Sequence, residues 1–305
     1  MKDYDSLVIG GGPAGVTAAL YLLRSGMKTA FVEMLSPGGQ LLMTESIENY
    51  PGFPKGLKGY ELADLFEAHL ENFSYDKYTD AVQEVVADGN LYTVRIGDEW
   101  VRTRSIIVCT GARYKKLGLP NEEHLTGRGI SYCALCDGNF FRGQEVGVVG
   151  GGNSALEEAL YLSRLVGKLH LIHRRDAFRA TQCVQDKIRA QEGIHIIRSA
   201  AVTALHGEDS LTGVTLCDLK TGEESFLRLD GLFIFVGYEP VKHFYPDGLT
   251  TDGSGFIVTD AEMVTSLPGI FAAGDCRSKL CRQVATAVGD GATAANSAFH
   301  YLERH

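Results

Sequence analysis

The stretch GGGPAG at residues 10–15 directly follows the β-rich apolar run YDSLVI at residues 4–9, and this junction decides the fold. Gly10, Gly12 and Gly15 occupy the glycine positions of a dinucleotide-binding fingerprint. They allow a tight turn, a close approach of the backbone to a pyrophosphate, and close helix–strand packing. A helix is predicted over 13–25 and a second strand over 28–33, which ends at Glu33. An acid at about this distance from the first glycine binds ribose hydroxyls, so the sequence predicts a complete β-α-β nucleotide site.

The same pattern recurs in the second half of the chain. The run EVGVV at 145–149 leads into GGGNSA at 150–155, and a helix to about residue 166 and a strand over 168–172 are predicted to follow. That strand ends in His173, Arg174 and Arg175, with Arg179 nearby. Guanidinium groups bind a 2′-phosphate through charge-assisted hydrogen bonds, whereas an acid repels it. The basic residues therefore predict selection of NADP(H), and a solvated basic strand end is the alternative.

Each β-α-β unit is followed by short alternating strands and then by an apolar strand with a glycine turn. These closing segments are IIVCTG at 106–111 and LFIFVG at 232–237, so two similar nucleotide-binding modules lie in tandem. The segment after Pro240 differs and must complete one of them. It contains a strand followed by Gly274 and Asp275, and a predicted Ala-rich helix over about 283–302. The amino end of this helix suits the flavin O2 and N1 atoms, where negative charge develops on reduction.

A dithiol motif, CALCD at 133–137, lies between the two fingerprints. A four-thiolate zinc site needs a second such pair, and the sequence has no other Cys-x-x-Cys. A dithiol beside a dinucleotide site indicates electron transfer from a nicotinamide to a disulfide, with Asp137 as a titratable group next to the sulfurs. A structural or metal-binding pair is the alternative. The histidines apart from His173 show no metal-ligand spacing, so no metal is expected.

The composition limits the class of protein. A chain of 305 residues is long enough for two domains with their own cores, and no apolar run is long enough to span a bilayer. The formal net charge of −9 disfavours nucleic acid and anionic membranes as partners. The seven cysteines form no disulfide-scaffold pattern, and the first fingerprint leaves no room for a signal peptide. We therefore expect a cytoplasmic protein.

On these motifs the chain resembles the low-molecular-weight, NADPH-dependent thioredoxin reductases of bacteria over essentially its full length. The resemblance implies an α/β fold with two Rossmann-like nucleotide-binding domains. A discontinuous FAD-binding domain, 1–114 and 245–305, is expected to contain an inserted NADPH-binding domain, 117–242, which carries the dithiol. A homodimer is implied, with thioredoxin or a thioredoxin-like protein as the electron acceptor. The matching landmarks are GGGPAG at 10–15, GGQ at 38–40, CTGA at 109–112, CALCDG at 133–138, GGGNSA at 150–155, HRR at 173–175, FR at 178–179, GD at 274–275 and RQ at 282–283.

The resemblance also implies residue roles. Cys133 and Cys136 are the expected redox pair, with Cys136 as the flavin-proximal sulfur and Asp137 as the general acid/base. Electrons are expected to pass from NADPH through FAD to this disulfide, while the inserted domain rotates between two states. The expected FAD contacts are Gly12, Glu33, Gly39, Gln40, Asn49, Asp275, Arg282 and Gln283, beside Gly10 and Gly15 of the turn. The expected NADPH contacts are Gly152, Asn153, Ser154, His173, Arg174, Arg175 and Arg179.

Some positions depart from the family pattern. Leu135 stands where a Thr is common, which leaves the redox potential open although the reaction class is unaffected. Cys276 and Cys281 occupy positions where the family usually has other residues. Free buried thiols that pack as small hydrophobic groups are the simpler interpretation, and an auxiliary thiol pair near the flavin is the alternative. The cysteine that first engages the substrate also stays open. A redox-sensing flavoprotein that binds a partner according to its thiol state is the non-enzymatic alternative.

Overall fold

The computed structural model describes residues 1–44, 47 and 49–305, and at positions 43, 135 and 136 it describes the backbone but not the side chain. The chain forms two compact units. The discontinuous unit consists of Met1–Arg113 and Glu239–His305, and the inserted unit is Tyr114–Tyr238. The chain therefore leaves the first unit after Arg113 and returns to it at Glu239.

The secondary-structure elements of the described residues are as follows. The strands are β1 (Lys2–Ile9), β2 (Thr29–Val32), β3 (Asp76–Tyr78), β4 (Val82–Asp88), β5 (Leu91–Ile96), β6 (Glu99–Val108), β7 (Ala112–Tyr114), β8 (Ile130–Ser131), β9 (Glu145–Gly150), β10 (Lys168–His173), β11 (Ile194–Arg198), β12 (Ala200–His206), β13 (Gly213–Asp218), β14 (Glu224–Arg228), β15 (Gly231–Phe235), β16 (Tyr238–Pro240) and β17 (Ile270–Ala272). The α-helices are α1 (Pro13–Arg24), α2 (Gly59–Leu70), α3 (Glu122–Leu125), α4 (Ala134–Asp137), α5 (Asn153–Leu162), α6 (Gln182–Ala190) and α7 (Val284–Arg304). Short 3₁₀ helices span Gly39–Met43, Gly138–Phe141 and Gly274–Cys276.

The discontinuous unit is built on a mixed sheet with the strand order β3-β2-β1-β6-β5-β4, and β17 pairs with β6. The strands β1, β2, β3, β6 and β17 run parallel, whereas β5 is antiparallel to β6 and β4 to β5. All residues of β2 are buried, as in a parallel sheet covered on both faces. The predicted first β-α-β unit is present as β1, α1 and β2.

Small residues let helices α1 and α7 approach each other closely in this unit. Ala18, Ala294 and Ala298 are fully buried in one apolar cluster. A Cβ atom on Gly291 would overlap the carbonyl oxygen of Ala14. The turn at Gly274 lies against the start of α1 as well, since a Cβ atom on Gly274 would lie 2.9 Å from the Cβ of Ala14.

The inserted unit repeats this architecture. Its parallel sheet has the order β11-β10-β9-β15-β8, and β12, β13 and β14 form a separate antiparallel sheet. Helices α5 and α6 pack against the parallel sheet through a shared apolar cluster. Short strand β8 pairs with β15, with Ile130 opposite Leu232 and Ser131 opposite Phe233, which places the dithiol motif at the carboxyl edge of the sheet.

The predicted α/β fold with two Rossmann-like units, one inserted in the other, is confirmed. Helix α5 is shorter than predicted, since it ends at Leu162 and residues up to 166 form turns. After Leu162 the N–H groups of Arg164 and Leu165 donate to carbonyls three residues back, so the chain tightens from an α-helix into 3₁₀-type turns. In the described part of the chain, no helix is both long and apolar enough to cross a membrane.

Candidate active site

The first glycine turn is closed by Glu33. Its Oε2 accepts the backbone N–H of Gly11 at 2.6 Å, and its Oε1 accepts that of Leu35 at 3.0 Å. Gly10 has φ +105°, and a Cβ atom on Gly15 would overlap the carbonyl oxygen of Gly10, so neither position accepts a side chain. Gly12 differs, because a Cβ there meets no described atom within 4 Å. Open space above Gly12 is what a bound pyrophosphate requires.

A second loop of the discontinuous unit abuts this turn. The N–H of Gly38 donates to the carbonyl of Gly11 at 2.7 Å, and a Cβ on Gly39 would lie 3.2 Å from the Cα of Gly12. Gln40 donates from Nε2 to the carbonyl of Ala112 at 2.8 Å. These contacts bring together three of the expected FAD positions, Gly12, Gly39 and Gln40.

Asn49 and Gln283 also meet, although 234 residues separate them. Asn49 donates from Nδ2 to Oε1 of Gln283 at 2.9 Å. Gln283 is the N-cap of α7, and its own N–H donates to the hydroxyl of Thr286 at 3.2 Å. Asn49 therefore lies at the amino end of α7, and both members of this pair are expected FAD contacts.

The carboxylate of Asp275 lies at the same place, with Nζ of Lys279 4.0 Å from its Oδ1. Its Oδ1 is buried and has no hydrogen-bond partner among the described residues. Burial raises the pKa of this carboxyl, and the cations of Lys279 and Arg282 oppose the rise. A buried polar atom without a partner is rare in folded proteins and indicates a missing polar ligand. The residues present therefore fit a flavin nucleotide with hydroxyl groups.

Asp290 on α7 holds the Gly274–Asp275 turn in place. Its carboxylate accepts the N–H of Gly274 at 3.1 Å, and pairs with Lys279 at 2.8 Å and with Arg277 at 2.9 Å. Only about a tenth of each of the three side chains is exposed, so the ion pairs are shielded from water. This cluster could not be predicted from the sequence, because Arg277 and Lys279 lie in a turn 13 and 11 residues before Asp290 on the helix.

The second glycine turn is supported by His173. This histidine is 5% exposed, and its Nε2 lies 3.1 Å from the carbonyl of Ala177. A Cβ on Gly151 would overlap the imidazole ring. Burial lowers the pKa of His173, and the charges of the nearby arginines lower it further. The hydrogen bond to Ala177 acts in the opposite direction but is a smaller effect than burial. The structure thus places His173 beneath the turn as a neutral group, apart from the exposed arginines beside it in sequence.

Three guanidinium groups surround the end of β10. Arg174, Arg175 and Arg179 are exposed, and in the described part of the chain none of their side chains has a hydrogen bond or an ion pair. Unpaired cations clustered at a strand end provide a binding site for an anionic group. Their position at the carboxyl edge of a parallel sheet is where nucleotides bind in this fold.

The loop that carries Arg179 is fastened to the second glycine turn. The N–H groups of Arg179 and Ala180 both donate to the carbonyl of Gly151, at 2.7 and 3.2 Å. Asn153 accepts the N–H of Thr181 at 2.7 Å with its Oδ1. The sequence assigned Asn153 to the nucleotide, but this oxygen is engaged in holding the arginine loop.

A cleft of about 130 Å³ opens beside this turn within the inserted unit. Ser154 and Gly152, both assigned to the nucleotide from sequence, line it together with Arg179. A Cβ on Gly152 meets no described atom within 4 Å, as at Gly12. The remaining lining residues are Tyr114, Ala155, Phe235, Val236, Gly237 and Tyr238.

The dithiol segment begins at the end of β8. Cys133 is disulfide-bonded, and the side chain of Cys136 lies outside the described side chains. The N–H of Asp137 donates to the carbonyl of Cys133 at 3.2 Å, which closes the helical turn of the motif. Asp137 Oδ2 accepts the hydroxyl of Ser131 at 2.6 Å. Sequence reasoning named Asp137 but missed Ser131.

Glu122 fixes the residue before the dithiol. It is 1% exposed, and it accepts the hydroxyl of Tyr132 at 2.7 Å. The same carboxylate accepts the N–H groups of Leu117, Gly118 and Leu119 at 2.7–3.2 Å. Four protein donors therefore satisfy this buried carboxylate. It connects residues 117–119, near the start of the inserted unit, to Tyr132.

The other cysteines show no second redox pair. Cys109, Cys183, Cys217, Cys276 and Cys281 are free thiols. Cys276 is buried, its Sγ lies 3.2 Å from the carbonyl of Val108 and 3.3 Å from that of Ala273, either of which can accept its one hydrogen, and burial raises its pKa to about 12. It therefore packs as a neutral thiol, as the simpler interpretation holds. Cys281 is exposed, so that interpretation is wrong for it.

Comparison with known proteins agrees with this geometry. Residues 4–291 match the family model described as pyridine nucleotide-disulphide oxidoreductase. The chain is 44% identical over 304 residues to the thioredoxin reductase of Bacillus subtilis, covering 99% of this chain and 96% of that protein. It is 45% identical over 303 residues to the thioredoxin reductase of Listeria monocytogenes, covering 99% and 95%. A crystal structure of Lactococcus lactis thioredoxin reductase (FR conformation) matches with a TM-score of 0.85 and 43% identity, covering 99% of this chain and 100% of that chain.

The chain therefore belongs to the pyridine nucleotide-disulphide oxidoreductases, and within that family to the thioredoxin reductases. This confirms the resemblance seen in the sequence motifs. It makes the protein an oxidoreductase that uses a flavin and a pyridine nucleotide.

Proposed function

We propose that the protein passes electrons from NADPH, through FAD and the Cys133–Cys136 disulfide, to oxidised thioredoxin or a thioredoxin-like protein. One observation carries the proposal. The inserted unit has a disulfide-bonded cysteine after β8 and three unpaired guanidinium groups around the end of β10, on the same carboxyl edge of one parallel sheet. Such an edge binds nucleotides, and a dithiol at that edge serves disulfide chemistry. The relatives named thioredoxin reductase support the choice of acceptor.

The choice of NADPH rests on the cluster of Arg174, Arg175 and Arg179. A 2′-phosphate would accept hydrogen bonds from these groups, and their lack of protein partners in the described residues leaves all donors available. The adenosine of NADH has a free 2′-hydroxyl in place of the 2′-phosphate, so it offers no negative group to these three arginines. NADH is therefore expected to bind more weakly.

The discontinuous unit would hold FAD. The open space at Gly12 would take its pyrophosphate, and Glu33, which closes the same turn, would bind a ribose hydroxyl. A flavin hydroxyl would supply the hydrogen bond that the Oδ1 of Asp275 lacks. When bound, FAD supplies the two-electron relay between a nicotinamide and a disulfide. The residues expected to contact it are Gly10, Gly12, Gly15, Glu33, Gly39, Gln40, Asn49, Asp275, Arg282 and Gln283.

Asp137 is proposed as the general acid/base of the thiol–disulfide exchange. An enzyme thiol must lose a proton to attack a disulfide, and the departing sulfur must gain one. A carboxylate one residue after Cys136 can accept the first proton and return it in the second step, a role worth about 10²–10⁴-fold in rate. Its carboxylate is held by Ser131, so it is fixed relative to the backbone of Cys133.

We further propose that the protein is a homodimer in the cytoplasm. The support is the family resemblance and the free state of Cys109, Cys183, Cys217, Cys276 and Cys281, which suits a reducing compartment. Sedimentation of the purified protein measures its oligomeric state. A monomer at micromolar concentration would contradict the homodimer.

A Cys136→Ser variant tests the proposed electron path. It should leave NADPH able to bleach the flavin absorbance and should abolish reduction of thioredoxin. A Cys281→Ser variant is the matched control, because Cys281 is an exposed free thiol, and it should keep full turnover. Persistent turnover in Cys136→Ser would mean that another pair of thiols carries the electrons. Chelator treatment should change neither reaction, since no group of histidine, cysteine and acidic side chains in the described residues can hold a metal.

A further inference from the structure

A buried hydroxyl lies at the centre of the dithiol segment. Ser131 is the last residue of β8 and is 4% exposed. Its Oγ lies 2.6 Å from Oδ2 of Asp137 and accepts the N–H of Cys133 at 3.1 Å. One hydroxyl group therefore contacts the backbone at the start of the motif and the carboxylate at its end.

The hydrogen of this hydroxyl has two acceptors within reach. Besides the carboxylate of Asp137 at 2.6 Å, the carbonyl oxygen of Cys133 lies at 3.1 Å. A hydroxyl has one hydrogen to donate, so it serves one acceptor at a time. The shorter contact is typical of donation to an ionised carboxylate. When Asp137 is protonated, its own O–H can donate to Ser131, whose hydrogen then turns to the carbonyl of Cys133.

Strand β8 gives this hydroxyl a fixed position. Ser131 pairs with Phe233 of β15, and the neighbouring pair joins Ile130 to Leu232. The next residue, Tyr132, donates a hydrogen bond from its hydroxyl to the buried carboxylate of Glu122. The serine is thus held by the sheet rather than by the dithiol turn, and it provides a reference point against which Asp137 is oriented.

We infer that Ser131 is a positioning residue that stabilises both protonation states of Asp137 during thiol–disulfide exchange. The inference rests on the proposed function. In that exchange the substrate S–S bond breaks, an S–S bond forms between Cys133 and Cys136, and two electrons pass to the substrate. Two protons follow from the enzyme thiols to the substrate sulfurs, and Asp137 carries one of them. Ser131 donates to Asp137 while it is ionised and accepts from it while it is protonated.

Other titratable groups lie on the elements around this segment. Helix α5 packs against α4 through Ala134 and carries Glu157, Glu158 and Tyr161. Burial and the charge of Glu157 raise the pKa of Glu158 to about 7. Strand β15 and residues 138–141 contribute no titratable side chain. Glu158 is therefore the neighbouring group whose titration the experiment must control for.

The test compares Ser131→Ala, Ser131→Thr and Ser131→Val. Each protein, loaded with FAD, is first reduced with NADPH and then mixed with oxidised thioredoxin between about pH 5 and pH 9, and the rate of thioredoxin reduction is followed. Ser131→Ala should be about tenfold slower at neutral pH, and its pH–rate profile should move to higher pH by about one unit, because the ionised carboxylate loses a charge-assisted hydrogen bond that is stronger than the neutral one lost by the protonated form. Ser131→Thr should keep the wild-type profile, whereas its isostere Ser131→Val should behave as Ser131→Ala. Should Ser131→Ala not fold, the Thr and Val variants make the same comparison.

Three controls make the result specific. Ser163→Ala removes a serine hydroxyl that donates to Leu160 in the same unit, and it should leave the profile unchanged. Glu158→Gln should leave the shift caused by Ser131→Ala in place. Bleaching of the flavin by NADPH should be the same in all variants, because it does not involve the dithiol.

An Asp137→Asn variant separates this inference from the proposed function. In its background, Ser131→Ala should cause no further pH shift. Wild-type rates for Asp137→Asn alone would overturn the proposed acid/base role itself. A slow Asp137→Asn together with wild-type profiles for both Ser131→Ala and Ser131→Val would overturn the role of Ser131 and leave the proposed function standing.

Discussion

The two glycine-rich turns of the molecule are closed by different side chains at the same position. In the discontinuous unit, Glu33 lies over Gly11, and a Cβ atom on Gly11 would lie 2.7 Å from the Cγ of Glu33. In the inserted unit, His173 takes this place, and a Cβ on Gly151 would overlap its ring. The acid binds the turn through a hydrogen bond to an N–H, whereas the imidazole supports it by packing.

In both units, the residue 23 positions after the first glycine (33 − 10 and 173 − 150) therefore supports the turn itself. Sequence alone suggests that this residue faces the ligand. In the inserted unit, the side chain at that position is a buried neutral histidine, and the positive charges stand on the next residues, Arg174 and Arg175. The coenzyme preference is thus expected to depend on the arginines, and the shape of the turn on the histidine.

The largest expected effect is on the KM for NADPH, and it separates coenzyme binding by the arginines from support of the turn by His173. Changing Arg174 and Arg175 together to Ala should raise the KM for NADPH by about 10²-fold or more, since each charge-assisted contact contributes roughly 1.5–3 kcal/mol. The KM for NADH should barely change. Arg189→Ala is a suitable control, because Arg189 is exposed on α6 and paired with Asp186. Steady-state kinetics with both coenzymes measure this, and equal damage to both would show that the arginines are structural.

A smaller effect is expected from the middle glycines. Gly151→Ala should destabilise the protein by about 1–3 kcal/mol, because its Cβ must displace the ring of His173. Gly152→Ala is the matched control, since its Cβ meets no described atom, and it should fold normally while binding NADPH more weakly. Urea unfolding measures the first effect and coenzyme titration the second. Equal stability of the two variants would contradict the packing role of His173.

The smallest expected effect is a pH dependence of stability. Burial lowers the pKa of His173 below its usual value of 6.5. Below that pH the unfolded chain binds a proton that the folded protein does not. The contribution of the neutral His173 to the free energy of unfolding is therefore complete above pH 6.5 and is lost as the pH falls towards its lowered pKa in the folded protein. The loss is at most about 1.4 kcal/mol per pH unit. His173→Gln should remove this part of the dependence.

His170→Gln provides the comparison for that experiment. Burial lowers the pKa of His170 too, and Glu145 opposes the shift. Each single variant should therefore flatten the fall of the urea midpoint between about pH 7.5 and pH 5.5, and the double variant should flatten it further. A His173→Gln protein with the wild-type pH slope would show that His173 is protonated equally in both states.

The sequence predicted the elements that depend on local patterns. The spacing of the glycines located both β-α-β units, and the Ala-rich segment predicted over 283–302 forms α7 at Val284–Arg304. Turn chemistry and hydrophobic periodicity act over a few residues, so a single sequence contains this information.

The sequence could not predict contacts that depend on the assembled fold. Glu122 and Glu123 are neighbours of the same type, yet Glu122 is buried with four donors and Glu123 is exposed. Asp290 meets Lys279 and Arg277 only because α7 packs beside the Gly274–Asp275 turn. Ser131 reaches Asp137 because β8 ends next to the dithiol turn. No spacing rule in the sequence distinguishes these residues from exposed ones.

The proposed function requires catalytic electron flow from NADPH to a protein disulfide. The most direct measurement counts both sides of the reaction, namely the NADPH consumed by the FAD-loaded protein and the thiols formed on an excess of oxidised thioredoxin. We expect many turnovers, with two thioredoxin thiols formed for each NADPH oxidised. Consumption that stops after about one equivalent of NADPH, with no thiols on thioredoxin, would contradict it and would favour a redox-sensing flavoprotein.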